Sequence, residues 1–543
     1  AFCPSTNYAQ TSLGILGSDD TVWNNHYDLA LTLYNLLAEL KYCEGNFNEA
    51  MQITRRIFQR AKTFDDQFIA QTCNLKSMML NGDMDDTLTT SLVILRVLGE
   101  PLPKKPTRSA VLTSLIKTKK ALRTKSDEYL TSLPEMTDKR VMKIMEILKI
   151  LVSAVYSLGS DYVPIVIFKM IRLTLKCGLA DSSSYAISVY GLLMYAVLKD
   201  VKGACRFGQL GVSISSKVTM PRSSFLMYGF IAHWRDNIGL TLDPLLNGFK
   251  EGLKSGDIEY ACYNLNCYTY HSLHSGQASI QAILHQQQVR LQELIKFGTN
   301  SASERNRPCI QAALSLAGQT QDPFVLTDEV IDEEGQLKKS TESGKIPIEY
   351  NFRYNAACVA YIFGDYDRAS MHSLKIQDIA AKFPAIYSIT IQAFYDGLSS
   401  YALARTEKNC NKWRKRGRKI SKKFANWAKY CPSNNTHKFL LLKAEDASLF
   451  ATKSKKKRGI AEQAYNAAIL AASNSGFVNV AAIASERAAE FYNSTGQDEQ
   501  FSKFIAQAYK FYLKWGACGK CQHMAKKYPG ITFNTQNGQR SIH

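Results

Sequence analysis

The chain has 543 residues, of which 45% are hydrophobic and 21% charged, with 14 Pro and 31 Gly. That composition excludes a disordered polyelectrolyte and a collagen-like fibre, and the length admits several domains or one extended solenoid. The formal net charge is +20, and much of it is local. Thirteen Cys are scattered through the helical stretches, a dispersed pattern that fits reduced, buried thiols of an intracellular protein. No segment reaches the roughly 18 uninterrupted apolar residues of a membrane span. The nearest, Ile147–Leu158, is interrupted by Lys149. The start, AFCPSTNYAQ, lacks the basic region of a signal peptide and an initiator Met, so a chain cut from a larger cytoplasmic protein is expected. The two N-x-S/T sites, at Asn434 and Asn493, are read as chance matches.

Residues 1–22 read as an irregular N-terminal segment. From Trp23 to Lys62 apolar residues recur at the three-and-four spacing of a helix face, broken once at Gly45-Asn46. Gly tolerates the positive φ that ends a helix, so this is a helix hairpin. The pattern returns at 354–369, where Ala357, Tyr361, Gly364, Tyr366 and Ala369 repeat the spacing of Ala38, Tyr42, Gly45, Phe47 and Ala50. The small residues allow close helix approach, the aromatics fill the space beside the turn, and Gly makes the turn. This is the tetratricopeptide-type helix–turn–helix pattern. An ordinary helix hairpin in a non-repeat protein is the alternative. Gly82 lies about one such period, roughly 34 residues, beyond Gly45.

Next comes PLPKKP (101–106), whose prolines forbid helix and make a stiff connector. A helix follows near 108–130. LPEMTD (133–138) should restart another at Thr137 or Asp138, a good N-cap. Helices are expected near 140–158, 162–177, 182–198 and 201–217, four more over 222–298, and one at 302–318. The stretch 319–347 is acidic at Asp328, Glu329, Asp332, Glu333 and Glu334, then rich in Gly and Ser. It reads as an excursion dividing helical half one (23–318) from half two (348–529), ahead of a disordered tail (530–543). No sustained period-two alternation occurs, so almost no strand is expected. The fold class is all-α, an α-solenoid of stacked tetratricopeptide-like helix hairpins.

Few motifs carry chemistry. Ser343–Ile346 (SGKI) misses the first Gly and the final Ser/Thr of a phosphate-binding loop. Cys518-Gly-Lys-Cys521, with His523 nearby, lacks the second ligand pair of a zinc site and follows a helix rather than a strand. Two ordinary cysteines at a helix boundary is the preferred reading. His271 and His274 share a helix face, with His285 as a remote third candidate, and packed histidines are the default. No catalytic residue, cofactor or metal is assigned.

The basic tract is the one candidate interaction site. Lys412, Arg414, Lys415, Arg416, Arg418, Lys419, Lys422 and Lys423 follow one another without an acid, and Lys455, Lys456, Lys457 and Arg458 form a second run behind Lys453. Trp413, Phe424 and Trp427 interleave with the first, as on some nucleic-acid-binding surfaces. An acidic protein, an anionic membrane surface, or simply a solvated helix face are the competing readings.

From about Trp23 to Pro529 the chain resembles a known family, the tetratricopeptide-like helical region C-terminal to the STAND/AAA-type ATPase module of large multidomain signalling kinases. The likeness is carried by HYDLALTLYN (26–35), LPEMTD (133–138), FKMIRLTLKCG (168–178), RFGQL (206–210) and the long segment starting HWRDNIGLTLDP (233). It continues through FGDYDRA (363–369), FYDGL (394–398), WAKYCPSNNTHKFLLLKAE (427–445) and FYLKWGACGKCQHMAKKYP (511–529). The resemblance implies a non-catalytic scaffold or regulatory arm that binds protein partners. Any ATPase or kinase activity would then lie in neighbouring domains. The Lys-rich run 453–458 departs from that pattern and reads as an insertion where a tight turn would do. The alternative function is a nucleic-acid-binding helical-repeat protein using 412–423 and 453–458.

Overall fold

A computed structural model describes residues 2–103, 105–295, 300–323, 335, 346–378, 385–406, 410–452, 454–531 and 533. Among the described residues there are 26 α-helices and no strand, and the only β-type pairing is one isolated bridge, Glu135 to Leu179. No helix is long and apolar enough to cross a membrane among these residues. Twelve described cysteines are free thiols.

The chain divides into two compact units. The first is built from Ala1–Leu198 and Lys202–Ser223. Its helices are α1 Phe2–Ile15, α2 Asp19–Asn25, α3 Tyr27–Cys43, α4 Phe47–Arg60, α5 Phe64–Asn81, α6 Met84–Val97, α7 Arg108–Leu122 and α8 Asp127–Thr131. They are followed by α9 Lys139–Ser157, α10 Tyr162–Cys177, α11 Asp181–Leu198, α12 Val201–Ser213 and the start of α13 Met220–Leu226. The α3/α4 turn has the expected construction. Gly45 takes a φ of 80°, Tyr42 and Phe47 meet at 5.9 Å, and Ala38 and Ala50 are fully buried. Gly82 makes the next turn with a φ of 100°. Asp138 caps α9, accepting from the backbone N–H groups of Arg140 and Val141.

The irregular segment expected over 1–22 is a correction, because most of it is helical. Ser18 caps α2 with Asp19 and Asp20 in its first turn, where acids oppose the helix dipole. On α1, Ala9 and Leu13 pack on Leu37 and Leu40 of α3. That contact supplies the cover the apolar α3 requires, and it overrides the poor local propensity of Pro4 and Gly14.

The second unit is built from Ser224–Leu294 and the described part of Asn300–His543. Its helices are α14 Leu242–Ser255, α15 Ile258–Ser275, α16 Ile280–Ile295, α17 Asn300–Ala317, α18 Ile346–Phe363, α19 Tyr366–Lys375 and α20 Ser388–Thr406. They continue with α21 Cys410–Tyr430, α22 Pro432–Ser448, α23 Lys455–Asn474, α24 Val478–Ser494, α25 Asp498–Trp515 and α26 Cys518–Lys527. Sequential neighbours pack in pairs, and one continuous apolar core runs from Ile238 to Met524. The α18/α19 turn repeats the first hairpin: Gly364 at φ 98°, Tyr361 and Tyr366 at 5.3 Å, Ala357 and Ala369 fully buried.

The expected division at 319–347 is also corrected. Helix α17 packs on α15 and α18, so helices on both sides of that stretch share one core, and the boundary falls near Leu198–Ser224 instead. Residues 324–334 and 336–345, which hold the acidic run and Ser343-Gly344-Lys345, lie outside the described residues. So does most of 530–543, where the described Phe533 stacks on Tyr509 at 4.3 Å.

Several segments that carry the family resemblance meet in pairs. In the first unit, Leu179 N–H donates to the Pro134 carbonyl at 2.7 Å and Met136 N–H to the Leu179 carbonyl at 2.8 Å. This joins LPEMTD to the end of FKMIRLTLKCG. In the second unit, Asn434 accepts from Ile238 N–H at 3.0 Å and donates to the carbonyls of His233 and Asp236, both at 2.8 Å. The backbone there is broken into short π and 3-10 turns, and one amide side chain satisfies three of its freed groups. Asn434 is 1% exposed, so its N-x-T match is a packed residue.

Candidate anionic-partner helix and buried polar clusters

The basic tract 412–423 falls on α21, and the helix sorts its cations by type. Trp413, Gly417, Ile420 and Phe424 form the buried face. Arg416 lies on one flank and grips Asp396 of α20 with two bonds of 2.7 Å. Arg414 and Arg418 lie on the other flank and share Asp446 of α22, with closest distances of 3.0 and 2.9 Å. Lys412, Lys415, Lys419 and Lys422 are exposed and recur every three or four residues along the outer face, with exposed Lys429 two turns further on, the row spanning about 25 Å at 1.5 Å per residue. The division follows from side-chain chemistry. A planar guanidinium pairs bidentately with a carboxylate, whereas the ammonium of Lys is a mobile, strongly hydrated point charge.

The twelve expected patch residues therefore do not act alike. Three arginines hold α21 between its neighbours, and the lysines are the free members. Burial pushes the Asp396 carboxyl up, and Arg416 partly offsets this. The interleaved aromatics are packing rather than a stacking platform: Trp413 and Phe424 are 7% and 0% exposed, and Trp427 packs against the core. The expected insertion at 453–458 is corrected too. Ser454 caps α23, and Lys455, Lys456, Lys457 and Arg458 form its first turn, with residue 453 outside the described set. Arg414 sits over the Phe450 ring at 4.3 Å, just before α23 starts, which brings the start of the first tract towards the start of the second.

Two buried polar clusters escaped sequence reasoning. The first is an ionic network running across seven helices. Glu445 is fully buried and pairs with Arg405 at 2.8 Å and Arg487 at 3.2 Å, while the Tyr465 hydroxyl donates to it at 2.6 Å. Burial alone would raise its carboxyl, but the two guanidiniums reverse that and hold it below the usual range. Arg487 also pairs with Glu490, which Lys527 meets at 3.0 Å. Burial opposes ionisation of Glu490, yet the two cations hold its pKa down to about 2. Lys520, 2% exposed, donates to Glu486 at 2.7 Å and to the Ile362 carbonyl at 2.5 Å, and Tyr512 donates to Glu486 at 2.8 Å.

The second cluster surrounds Lys438, which is fully buried and donates to the Tyr387 hydroxyl at 3.0 Å. Around it lie His233, His271, His274 and His437, each no more than 5% exposed. His271 meets the Thr241 hydroxyl at 2.7 Å, and His437 stacks on Phe477 at 4.4 Å. Burial, with Lys438 adding to it, pushes His233 and His274 down to about 3, and burial drives His271 and His437 well below their ordinary value. The packed reading of His271 and His274 fits this environment. His285 is exposed on α16, away from both. Among the described residues no three His, Cys, Asp or Glu side chains converge as a metal site. At the Cys-x-x-Cys, Cys518 opens α26 and Cys521 is buried, with burial pushing its thiol up to about 12, the opposite of a redox-active thiolate.

No family model matches the chain. Over 295 residues it is 21% identical to hybrid signal transduction histidine kinase G of Dictyostelium discoideum. The match covers 48% of this chain and 8% of that much longer protein.

Proposed function

We propose that this chain is a non-catalytic helical-repeat arm of an intracellular multidomain signalling protein, binding protein partners and coupling them to an adjacent ATPase or kinase module. One observation carries most of the weight. From α17 to α26 successive helices pack neighbour to neighbour, and α14 pairs with α15, around one continuous core, which is how helical repeats generate an extended recognition surface. The partial similarity to a signalling kinase supports the context. The resemblance to the region beside STAND-type ATPases supplies the neighbour, and ATP binding belongs to that neighbour in this reading. The test is phosphoryl transfer and ATP hydrolysis by the full polypeptide carrying this chain, with and without it, and by the chain alone. The reading expects no turnover from the chain alone and a several-fold change when it is removed. Turnover by the chain alone, or an unchanged rate without it, would overturn the proposal.

A nucleic-acid-binding role is the second reading, and the exposed lysine row on α21 is the observation that favours it. The buried aromatics weigh against base stacking, leaving only sequence-independent attraction to phosphates. Such binding falls steeply with salt. Absence of retention on RNA, DNA or heparin at low salt would remove this reading.

A further inference from the structure

A small, tight cleft opens beside the ionic network of the second unit. Its walls include Tyr361 and Gly364 at the α18/α19 turn, Glu486 and Arg487 on α24, and Lys520, His523 and Lys527 on α26, so one carboxylate, itself bonded to Lys520 and Tyr512, lies among the cations. Three features of this cleft point the same way.

The first is hydrogen-bonding capacity. The carboxylates of Glu486 and Glu490 are each met by two donors, from Lys520 and Tyr512 and from Arg487 and Lys527. Glu445 is met by Arg405, Arg487 and Tyr465. Donors remain over. Among the described residues Lys520 uses two of its three N–H groups, and Arg487 uses Nε and Nη1 while Nη2 makes no hydrogen bond. The second feature is charge. Among the described residues Arg405, Arg487, Lys520 and Lys527 face three carboxylates, Glu445, Glu486 and Glu490, leaving one cation in excess around the network. The third is the Tyr361 hydroxyl. Tyr361 is 4% exposed, lines the cleft, and its oxygen has no hydrogen-bond partner. A buried hydroxyl in that state is the exception in folded proteins.

We propose that this cleft is a receptor for one oxyanion, a carboxylate or a phosphate group, bound by Lys520, the free edge of Arg487, Lys527 and the Tyr361 hydroxyl. Surplus donors, surplus positive charge and the orphaned hydroxyl are all answered by one small anion. The cleft has room for little more than a water-sized group, so it takes only the oxygens of the anionic group itself and not a whole nucleotide. The anion has two sources, free inorganic phosphate or a carboxylate of a partner polypeptide. The site stands independently of the signalling-arm reading, because its test needs no neighbouring domain.

The experiment titrates the whole chain with sodium phosphate, sodium acetate, and a short acidic peptide carrying either a free or an amidated C-terminus, at constant ionic strength. Binding is read by calorimetry and by thermal shift. Saturable binding of at least one anion is expected. A phosphate-only response identifies free phosphate, and a response to the free-terminus peptide but not the amidated one identifies a terminal carboxylate. Tyr361→Phe removes an oxygen with no protein partner, so the fold is unaffected while affinity drops about tenfold. Lys527→Gln should weaken binding as well, with the fold checked by circular dichroism. Absence of saturable binding to every anion overturns the proposal, as does affinity unchanged in Tyr361→Phe.

Discussion

Lys438 donates a hydrogen bond to the Tyr387 hydroxyl at 3.0 Å, and both side chains are fully buried. Among the described residues no carboxylate answers the ammonium, and burial pushes its pKa down from 10.5 to about 7. In the unfolded chain this amine stays protonated up to about 10.4. Between those values the unfolded state binds more protons, so stability rises as pH climbs from 7 towards 10. At neutral pH the residue is a net cost. Lys438→Met should stabilise the second unit by about 1–3 kcal/mol at pH 7, because an apolar side chain of similar length replaces a poorly compensated charge. The upward slope between pH 7 and 10 should disappear in the variant. Urea denaturation at pH 7, 8.5 and 10 measures both effects, and an unchanged slope would count against the buried-amine assignment.

The histidines around Lys438 give an opposite limit in acid. Their folded-state pKa values lie well below 6.5, at about 3 for His233 and His274. The unfolded chain takes up protons as pH falls through about 6.5, while the folded rings stay neutral. Their contribution is intact above pH 6.5 and is lost as pH falls towards 3. Each ring removes about 1.4 kcal/mol per pH unit in that window, so four rings remove several kcal/mol by pH 5. The melting temperature should fall steeply below pH 6. His372 and His523, also held down by burial to about 3 and 4, add to the same fall, so replacing His274 with Gln should flatten it by about a sixth, one ring of six.

The basic helix makes a sharper prediction than its composition suggests. Arg416 holds Asp396, whose side chain is 6% exposed, so Arg416→Met strands a buried carboxylate and should cost about 3 kcal/mol. Lys415→Met and Lys419→Met should each change stability by less than about 0.5 kcal/mol, because both are exposed. Charge reversal at Lys412, Lys415, Lys419 and Lys422 should abolish retention on heparin with the fold intact. Thermal melts and salt-gradient elution separate the two classes. Joint replacement of Lys415, Arg416, Arg418 and Lys419 would mix a folding defect with a binding defect.

What could be read in advance was whatever local physics dictates. Gly45, Gly82 and Gly364 announced turns because only Gly adopts positive φ cheaply, and Asp138 announced a helix start because its carboxylate caps free N–H groups. The different work of neighbouring arginines and lysines could not be read, since Asp396 and Asp446 come from other helices. Lys438 sits in the polar string NNTHKF, and nothing in that string reveals burial. The helix over Phe2–Ile15 was missed because its stability comes from packing on α3. The unit boundary was misplaced because long irregular sequence need not separate cores, and α15, α17 and α18 share one.

Asn434 is the joint between two distant segments, and its bonds are all directional. Asn434→Ala would leave the carbonyls of His233 and Asp236 and the N–H of Ile238 without partners in the core. At about 1–3 kcal/mol for each stranded group, destabilisation of at least 3 kcal/mol is expected. Asn434→Asp should not rescue it, because an oxygen would replace the two donated bonds and face two carbonyls. Asn493, the other N-x-S/T asparagine, is exposed and should tolerate either change. Chemical denaturation of the four variants gives the comparison, and equal effects at both positions would remove the joint from the argument.

Two glycines of the first unit, both at positive φ, differ in what surrounds them. At Gly82 a Cβ would meet nothing within 4 Å, so Gly82→Ala costs only backbone strain, about 1 kcal/mol. At Gly178 a Cβ would lie 2.4 Å from the Pro134 carbonyl oxygen and 3.2 Å from the Glu135 carbonyl carbon. Those are backbone atoms and cannot swing aside as a side chain would. The same Pro134 carbonyl accepts from Leu179 N–H, and the Leu179 carbonyl accepts from Met136 N–H. Relieving the clash therefore breaks the bridge that joins the two segments. Gly178→Ala should cost well over 3 kcal/mol, combining strain, overpacking and lost backbone bonds. It should also expose the amides of Met136 and Leu179 to hydrogen exchange. Similar losses for the two substitutions would show that the Glu135–Leu179 bridge contributes little to holding α9 and α10 together.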